Sequence, residues 1–296
     1  MTDDLHAERA RGLAQARRGI LLVVIAGLLF ASLDGLMKLL AERYSPLMLG
    51  WARHFFHVLV ILLVFGPRIG RGLLRTRLPW VQFARGLTLA LSAIFFFSAI
   101  ALQPLAEIVG VFSIAPVLIT VAAVWLLGER APPGTTWALA LSLLGVALIV
   151  RPGGGIFGWG ALLALLAAMS SVAFALLTRI LARSEETMAT LFIGAVVATL
   201  LLSLMLPFVW QRPEYWTDVA LMALIGTLGA SGHLLLLRAY RIATASTLAP
   251  FGYAHTAFAL PIGFVLFDHF PDFWSLLGIA LIVLTGVVMA LLKRSA

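Results

Sequence analysis

The chain has 296 residues, of which 62% are hydrophobic and only 11% are charged, and its mean hydropathy is +1.05. This composition excludes an ordinary soluble protein, because most of the chain is too apolar to face water. A membrane-spanning helix takes about 20 apolar residues, so the length allows about ten spans and no separate nucleotide-binding domain. The absence of cysteine excludes disulfides, thiolate metal sites and cysteine nucleophiles.

Long apolar runs, separated by Gly, Pro and charged clusters, predict ten membrane-spanning helices. In chain order they lie at residues 20–41, 46–66, 80–101, 104–127, 133–150, 158–180, 188–209, 218–240, 244–267 and 273–292. The first run is too long for a signal-peptide core and lacks an evident cleavage site, so it is predicted to stay as span one. The fold class is therefore predicted to be an all-α integral membrane protein.

The distribution of basic residues predicts the orientation, because Lys and Arg concentrate in cytoplasmic loops. If the N-terminus lies inside, fifteen of the 21 Lys and Arg residues fall in cytoplasmic segments and three in outer loops. The other three, Lys38, Arg53 and Arg85, lie within spans. We predict a multi-pass protein of the bacterial inner membrane with both termini in the cytoplasm, so that the net charge of +8 reflects orientation rather than binding of nucleic acid.

A shift of 141 residues aligns span one with span six and span five with span ten. The shift places Gly19, Leu21, Leu22 and Ala26 on Gly160, Leu162, Leu163 and Ala167, and Gly145 and Val146 on Gly286 and Val287. We therefore predict an N-terminal segment at 1–18, a first five-helix repeat at 19–152 and a second at 153–296. Five spans are an odd number, so the repeats would be inverted, as is typical of secondary transporters.

Several local motifs resemble the drug/metabolite transporter superfamily of the EamA type. They are Pro46 and Arg53 in span two, Arg85-Gly86 in span three, Pro116 and Leu127-Gly128-Glu129-Arg130 in span four, and Ala249-Pro250-Phe251-Gly252-Tyr253 with Phe267-Asp268 in span nine. The resemblance implies ten helices in two halves and export of small metabolites such as amino acids, although the family also includes importers. The second half departs from the family's Gly-Glu ending, because Asp268 and His269 stand there.

Ionisable residues inside the spans are candidates for gating or for ion pairs, because each costs about 2.5 to 3.5 kcal/mol to insert. Asp34 and Arg53 are predicted partners, each roughly 10 Å below the outer surface. Lys38 lies one turn beyond Asp34 and either joins a ladder of charges or extends to the surface. Glu107 favours the outer start of span four and either stays in water or lines a cavity. Arg85 is expected to anchor at the headgroups.

Polar and aromatic residues at comparable depth predict a substrate site between the repeats. The candidates are His57, Ser92, Phe96, Pro116, Ser170, His233, Tyr253 and His255, and Ser171 lies beside Ser170 at comparable depth. Tyr240, on the same face of span eight as His233, is a gating candidate towards the cytoplasmic mouth. Each of these residues taken alone is also compatible with simple helix packing, since Ser and His form hydrogen bonds between helices.

Small residues predict tight packing of spans five and ten. Gly145 in span five and Gly278 in span ten carry this pattern, and we place them at the periphery or at a subunit contact. A homodimer is therefore one possible assembly.

The leading function is a secondary transporter that exports amino acids with aromatic or apolar side chains by alternating access. The alternatives are an importer of a riboflavin-, nucleoside- or S-adenosylmethionine-like metabolite, a channel, or an intramembrane enzyme. No His-Glu-x-x-His motif or aspartate cluster favours the enzyme, and no catalytic residue, metal ligand or cofactor is predicted. The expected partners are a small-molecule substrate and membrane lipids. Coupling to protons and passive exchange both remain open.

Overall fold

The structure is a computed structural model, and it describes residues 2–128, 134–151 and 158–295. Helices account for all the regular secondary structure of these ranges. The principal helices are α1 (Thr2–Leu40), α2 (Pro46–Val64), α3 (Pro79–Leu102), α4 (Leu105–Phe112), α5 (Ala115–Leu127), α6 (Thr135–Val150), α7 (Trp159–Ser184), α8 (Thr187–Ser203), α9 (Trp216–Ile242), α10 (Tyr253–Phe267) and α11 (Phe273–Ser295). Short helices lie at Gly66–Ile69, Leu206–Val209 and Ala245–Leu248, and 3-10 turns at Gly70–Leu74 and Ala249–Gly252.

Within the described ranges, six helical segments are long and apolar enough to cross a membrane, which makes this a multi-pass, all-helical membrane protein. Shorter apolar helices, of 10 to 17 residues each, lie at Thr136–Val150, Thr187–Ser203, Tyr253–Phe267 and Phe273–Thr285. A helix of that length is shorter than a typical bilayer core of about 30 Å, and it spans only with local thinning or with flanking turns. The number of ten spans therefore stays a prediction.

Several boundaries differ from the predicted spans for identifiable reasons. Helix α1 begins at Thr2 rather than at residue 20, so the basic segment that was predicted as separate continues the first helix. Span nine, predicted as one helix over 244–267, begins with a short helix and a 3-10 turn before α10 starts at Tyr253. The turn contains Pro250, which has no N–H to continue an α-helix.

Span four is interrupted near its middle. Helix α4 ends at Phe112 and α5 starts at Ala115, with Pro116 in the first turn of α5. Since proline cannot donate to the carbonyl four residues earlier, Pro116 accounts for the interruption of the helical hydrogen bonds. Gly128 follows the end of α5, whereas Glu129 and Arg130 of the same motif lie outside the described residues.

The helix termini meet at two ends of the bundle, which we name the Leu40 end and the Gly19 end after residues of α1. At the Leu40 end, the hydroxyl of Tyr44 donates to Oδ2 of Asp218 at 2.6 Å, which joins α1 to the start of α9. At the Gly19 end, the side chains of Ala243 and Leu248 lie against Gly19. Helices α1 and α9 are therefore antiparallel neighbours.

The start of α11 is held at the Leu40 end by Asp272. Its Oδ1 accepts the N–H of Ser275, and its Oδ2 contacts Nη2 of Arg151 at the end of α6. The N–H of Ser275 and the Arg151 guanidinium both lower the pKa of Asp272, because each stabilises the ionised carboxylate. This side chain acts as an N-cap and joins α6 to α11.

Helices α6 and α11 pack against each other through their glycines. A Cβ atom added at Gly145 would lie 2.7 Å from the carbonyl oxygen of Gly278, and one added at Gly278 would lie 2.5 Å from the carbonyl oxygen of Gly145. Spans five and ten were predicted to use these residues at the periphery or between subunits. The structure instead places the two glycines in contact with each other within one chain, where they allow close backbone approach.

Replacing Gly145 with alanine is expected to destabilise the protein, because the new methyl group meets backbone that cannot move aside easily. Overpacking of this kind costs about 1 to 3 kcal/mol. Gly263→Ala is the matched control, since an added Cβ at Gly263 has no atom within 4 Å. Thermal unfolding in detergent should show a lower midpoint for Gly145→Ala only. Equal midpoints for the two variants would contradict the packing described here.

Candidate functional site

A central cavity of about 200 Å³ lies among the helices of the bundle. One water molecule needs only about 10 to 15 Å³ on a comparable measure, so this space can hold a small organic solute. Residues of α1, α2, α3, α4, α5, α7, α9 and α10 line it, together with the short elements before α10. The polar lining residues are Asp34, Arg53, Ser92, Ser171, His233, Tyr240 and His255.

Helix α1 provides one wall of the cavity through residues on a single face. Val23, Ala26, Gly27, Phe30 and Asp34 line the cavity, and their spacing of three, one, three and four residues follows the helical repeat. A Cβ atom at Gly27 would lie 2.9 Å from the backbone nitrogen of His255, so glycine is needed for α1 to approach α10 closely. The small residues of α1 therefore position its polar residue opposite α10.

Asp34 pairs with a histidine rather than with the arginine predicted from depth. His255 Nε2 lies 2.6 Å from Oδ2 of Asp34, and the aspartate side chain is only 6% exposed. An ionised carboxylate only accepts hydrogen bonds, so in the ionised form of Asp34 the proton of this contact is carried by His255 Nε2. The pair joins α1 to α10 across the cavity and satisfies one carboxylate oxygen inside an apolar bundle.

Arg53 contacts a second histidine on α9. Its Nη2 lies 3.2 Å from Nε2 of His233, and its guanidinium carbon lies 5.2 Å from the ring centroid of Phe97. Asp34 is close enough to interact electrostatically with Arg53, but no hydrogen bond joins them. The predicted Asp34–Arg53 pair is therefore replaced by two separate contacts, because each side chain finds a nearer histidine.

Aromatic rings supply most of the remaining contact surface. Phe96 packs at 5.0 Å from Phe112 and at 6.4 Å from His255, measured between ring centroids. Phe30 and Phe174 flank His233 at 5.0 and 5.4 Å. A cavity with aromatic walls and a few directed polar groups suits an organic molecule with an apolar part and a charged part.

Of the eight residues predicted for substrate binding, five line the central cavity and three do not. The five are Ser92, Phe96, Pro116, His233 and His255. His57 lies behind His233, with ring centroids 5.9 Å apart, and Tyr253 is buried away from the cavity surface. Ser170 donates to the carbonyl of Leu166, while the next residue, Ser171, faces the cavity.

The sequence offers both Ser170 and Ser171, and it could not distinguish which serine faces the cavity, because adjacent residues on a helix differ by about 100° in direction. The two residues are of the same type and lie at almost the same depth, so only the rotation of α7 about its axis distinguishes them. Phe174 and Ala175 also line the cavity and lie three and four residues after Ser171. This helical spacing is the signal that would have selected Ser171 over Ser170.

Lys38 and Glu107 lie at the Leu40 end rather than in the cavity wall. Lys38 Nζ donates to the carbonyls of Ile100 and Gln103, at 2.8 and 2.9 Å, and therefore caps the C-terminus of α3. Glu107 Oε1 lies 2.9 Å from Nε2 of His269. Glu107 is not left in water, because this residue is only 6% exposed.

Tyr240 and Arg85 mark the half of the bundle nearest the Gly19 end. Tyr240 lines the cavity, and its carbonyl accepts a hydrogen bond from Nη1 of Arg179. Arg85 was predicted at the headgroups, but it is 1% exposed. Its Nε donates to the hydroxyl of Thr178 and its Nη1 to the carbonyl of Thr190, so internal acceptors replace water.

Comparison with known proteins identifies related transporters. The pseudopaline exporter CntI of Pseudomonas aeruginosa is 26% identical over 94% of this chain and 98% of its own length. A riboflavin transporter of Rhizobium johnstonii is 28% identical over 90% of this chain and 88% of its own. An S-adenosylmethionine uptake transporter of Rickettsia conorii is 24% identical over 89% of both chains. These relatives are transporters and not enzymes.

A solved crystal structure of a protein supports the fold. It has a TM-score of 0.68 to this chain and 24% sequence identity, and the match covers 94% of this chain and 98% of the other. The EamA-like transporter family matches twice, over residues 17–151 and 158–292. The chain therefore belongs to the EamA-like transporter family, within the drug/metabolite transporter superfamily, and contains two copies of its characteristic unit.

Proposed function

We propose that the protein exports amino acids with aromatic or apolar side chains, and their analogues, by alternating access. The observation that carries this proposal is the central cavity, which combines the Asp34–His255 pair, the Arg53 guanidinium and several phenylalanine rings. An amino acid has a carboxylate, an ammonium and a side chain, and such walls offer a contact for each. The exporter named among the relatives supports outward transport.

Two similar halves in opposite orientations are one arrangement that allows alternating access, and we propose it here. In support of that arrangement, the end of α1 and the start of α7 lie at the same end of the bundle. Lys38 donates to the Gln103 carbonyl, and a Cβ atom at Gly160 would lie 2.5 Å from the side chain of Gln103. Helices α1 and α7, which correspond under the 141-residue shift, therefore run in opposite directions, and this supports the proposal of two inverted repeats.

A second candidate is import of a larger aromatic metabolite. Relatives named as a riboflavin transporter and as S-adenosylmethionine uptake transporters favour it. Fused aromatic rings would stack on the phenylalanines of the cavity at least as well as an amino acid side chain. For both export and import, we propose that the protein lies in a bacterial inner membrane with its two termini in the cytoplasm.

Purified protein in proteoliposomes should transport aromatic and apolar amino acids and should show counterflow. Radiolabelled uptake of a panel of amino acids, riboflavin and S-adenosylmethionine, with and without a pH gradient, tests both substrate and coupling. Saturable amino acid flux is expected because the cavity binds one solute at a time. Flux of riboflavin or S-adenosylmethionine without any amino acid flux would contradict export of amino acids and favour the second candidate.

Substituting Asp34→Asn is expected to lower amino acid transport by about tenfold or more, because a charged hydrogen bond in the cavity is worth about 1.5 to 3 kcal/mol. Initial rates in proteoliposomes measure the effect. Asp272→Asn makes the same chemical change outside the cavity, and asparagine can still cap α11, so its rate should stay near that of the wild type. If both variants transport equally, Asp34 has no role in transport.

A further inference from the structure

The guanidinium of Arg53 has more hydrogen-bond donors than the structure uses. An arginine carries five N–H donors and no acceptor. One hydrogen bond, from Nη2 to His233, is formed in the described part of the chain, and Nε is buried without any partner. Arg53 is only 8% exposed and lines the central cavity, so few of its unused donors can be satisfied by bulk water.

The same contact fixes the state of His233. Arginine can only donate, so Nε2 of His233 must accept, and the ring is neutral with its proton on Nδ1. Nδ1 is also buried without a partner in the described residues. Because Nε of Arg53 and Nδ1 of His233 are fully buried, the donors left for a solute are those of the terminal nitrogens of Arg53, and neither side chain presents a free acceptor.

Asp34 on the described cavity wall offsets part of the charge of Arg53, but it accepts none of the unused N–H groups. Asp34 is the acidic residue among the described lining residues, and its Oδ2 is held by His255 at 2.6 Å. A buried cation with unsatisfied donors is costly unless an anion or a strong acceptor joins it. A group that supplies negative charge and two acceptor oxygens would complete the site.

We propose that Arg53, assisted by His233, binds the carboxylate of the transported solute, and that this carboxylate rather than an ammonium group is the feature the cavity recognises. The inference rests on the proposed function, because it takes the central cavity as the site of the solute. Planar guanidinium and carboxylate groups form strong paired hydrogen bonds. The substrate class therefore widens to aromatic and apolar carboxylates, with amino acids as one case.

The position of Phe97 and Phe96 fits this class. Phe97 lies under the guanidinium of Arg53, and its neighbour Phe96 lines the same wall. A carboxylate bound to Arg53 would leave the apolar body of the solute against these rings. An ammonium group in the same place would face the positive charge of Arg53, which disfavours it.

Matched competitors test which charged group is recognised. Uptake of labelled L-phenylalanine is measured in proteoliposomes against 3-phenylpropionate, which lacks the amine, and phenethylamine, which lacks the carboxylate. The acid is expected to inhibit at a concentration about tenfold lower than the amine, since one charged hydrogen bond separates them. Stronger inhibition by the amine, or equal inhibition, would overturn the proposal.

A binding measurement distinguishes failure of the proposed amino acid export from failure of the proposed carboxylate site. If no amino acid is taken up, the thermal shift of purified protein with each compound still reports binding. Stabilisation by 3-phenylpropionate alone would support the carboxylate site even though export of amino acids had failed. Equal stabilisation by both compounds, or stabilisation by phenethylamine alone, would overturn the carboxylate site itself.

Variants of Arg53 test whether this side chain causes the preference for the acid over the amine. Arg53→Gln should abolish the difference between acid and amine, whereas Arg53→Lys, which keeps the charge without the planar fork, should retain part of it. Arg85→Gln is the matched control, because Arg85 is equally buried but does not line the cavity. For this variant, the ratio of the inhibitory concentrations of phenethylamine and 3-phenylpropionate should stay within about twofold of the wild type, as expected for separate sites.

Size-exclusion profiles identify folded variants before any comparison. If Arg53→Gln does not fold, Arg53→Lys provides the test, since it keeps the charge but removes two of the five donors and the planar fork, and it should reduce the preference. A folded Arg53→Gln or Arg53→Lys protein with the full preference for the acid would contradict the assignment to Arg53.

Discussion

Charged side chains buried in an apolar bundle must find partners, and this requirement organises the centre of the molecule. Asp34 joins α1 to α10 through His255, and Arg53 joins α2 to α9 through His233. In both contacts one helix comes from the first copy of the family's unit and the other from the second. Polar contacts around the cavity therefore hold the two copies together. Apolar side chains in their place would remove the charged and hydrogen-bonding groups of the cavity.

The two ends of the bundle are closed by other contacts between the same two copies. Tyr44 with Asp218 and Glu107 with His269 lie at the Leu40 end. The side chain of Glu185 accepts the N–H of Arg77 at the Gly19 end. A carrier that rocks must break contacts at one end while keeping those at the other. Hydrogen bonds at the ends suit this role better than extensive interlocked side chains, because few groups must separate.

Much of this arrangement could be predicted from the sequence, because membrane spans depend on length and hydropathy rather than on distant contacts. The break at Pro116 and the importance of Asp34, Arg53 and His255 as buried polar residues follow from local rules. The partners of these side chains do not follow from local rules. Asp34 and Arg53 have the same depth along their helices whether they pair with each other or with a histidine. Helix rotation separates Ser171 from Ser170, and only packing of α7 determines that rotation.

The expectation for Arg85 was wrong, and the two accounts offered for Lys38, a ladder of charges or extension to the surface, did not include its contact with α3. Arg85 was placed at the headgroups because a lone cation in a span usually extends towards water. Lys38 instead caps the exposed carbonyls at the end of α3, and Arg85 binds a threonine hydroxyl and a carbonyl inside the bundle. Acceptors of this kind belong to other helices, so the sequence of α1 or α3 alone does not reveal them.

The most direct test of the central cavity as a solute site is labelling of single introduced cysteines, which is possible because the chain has no cysteine of its own. Ser171→Cys places a thiol on the cavity wall, and Ser170→Cys places one on the adjacent residue that does not line it. A water-soluble thiol reagent should label the cysteine at 171 much faster than the one at 170, and a transported solute should slow that labelling. Equal labelling at the two positions, or labelling at 171 that no solute affects, would contradict a central solute chamber.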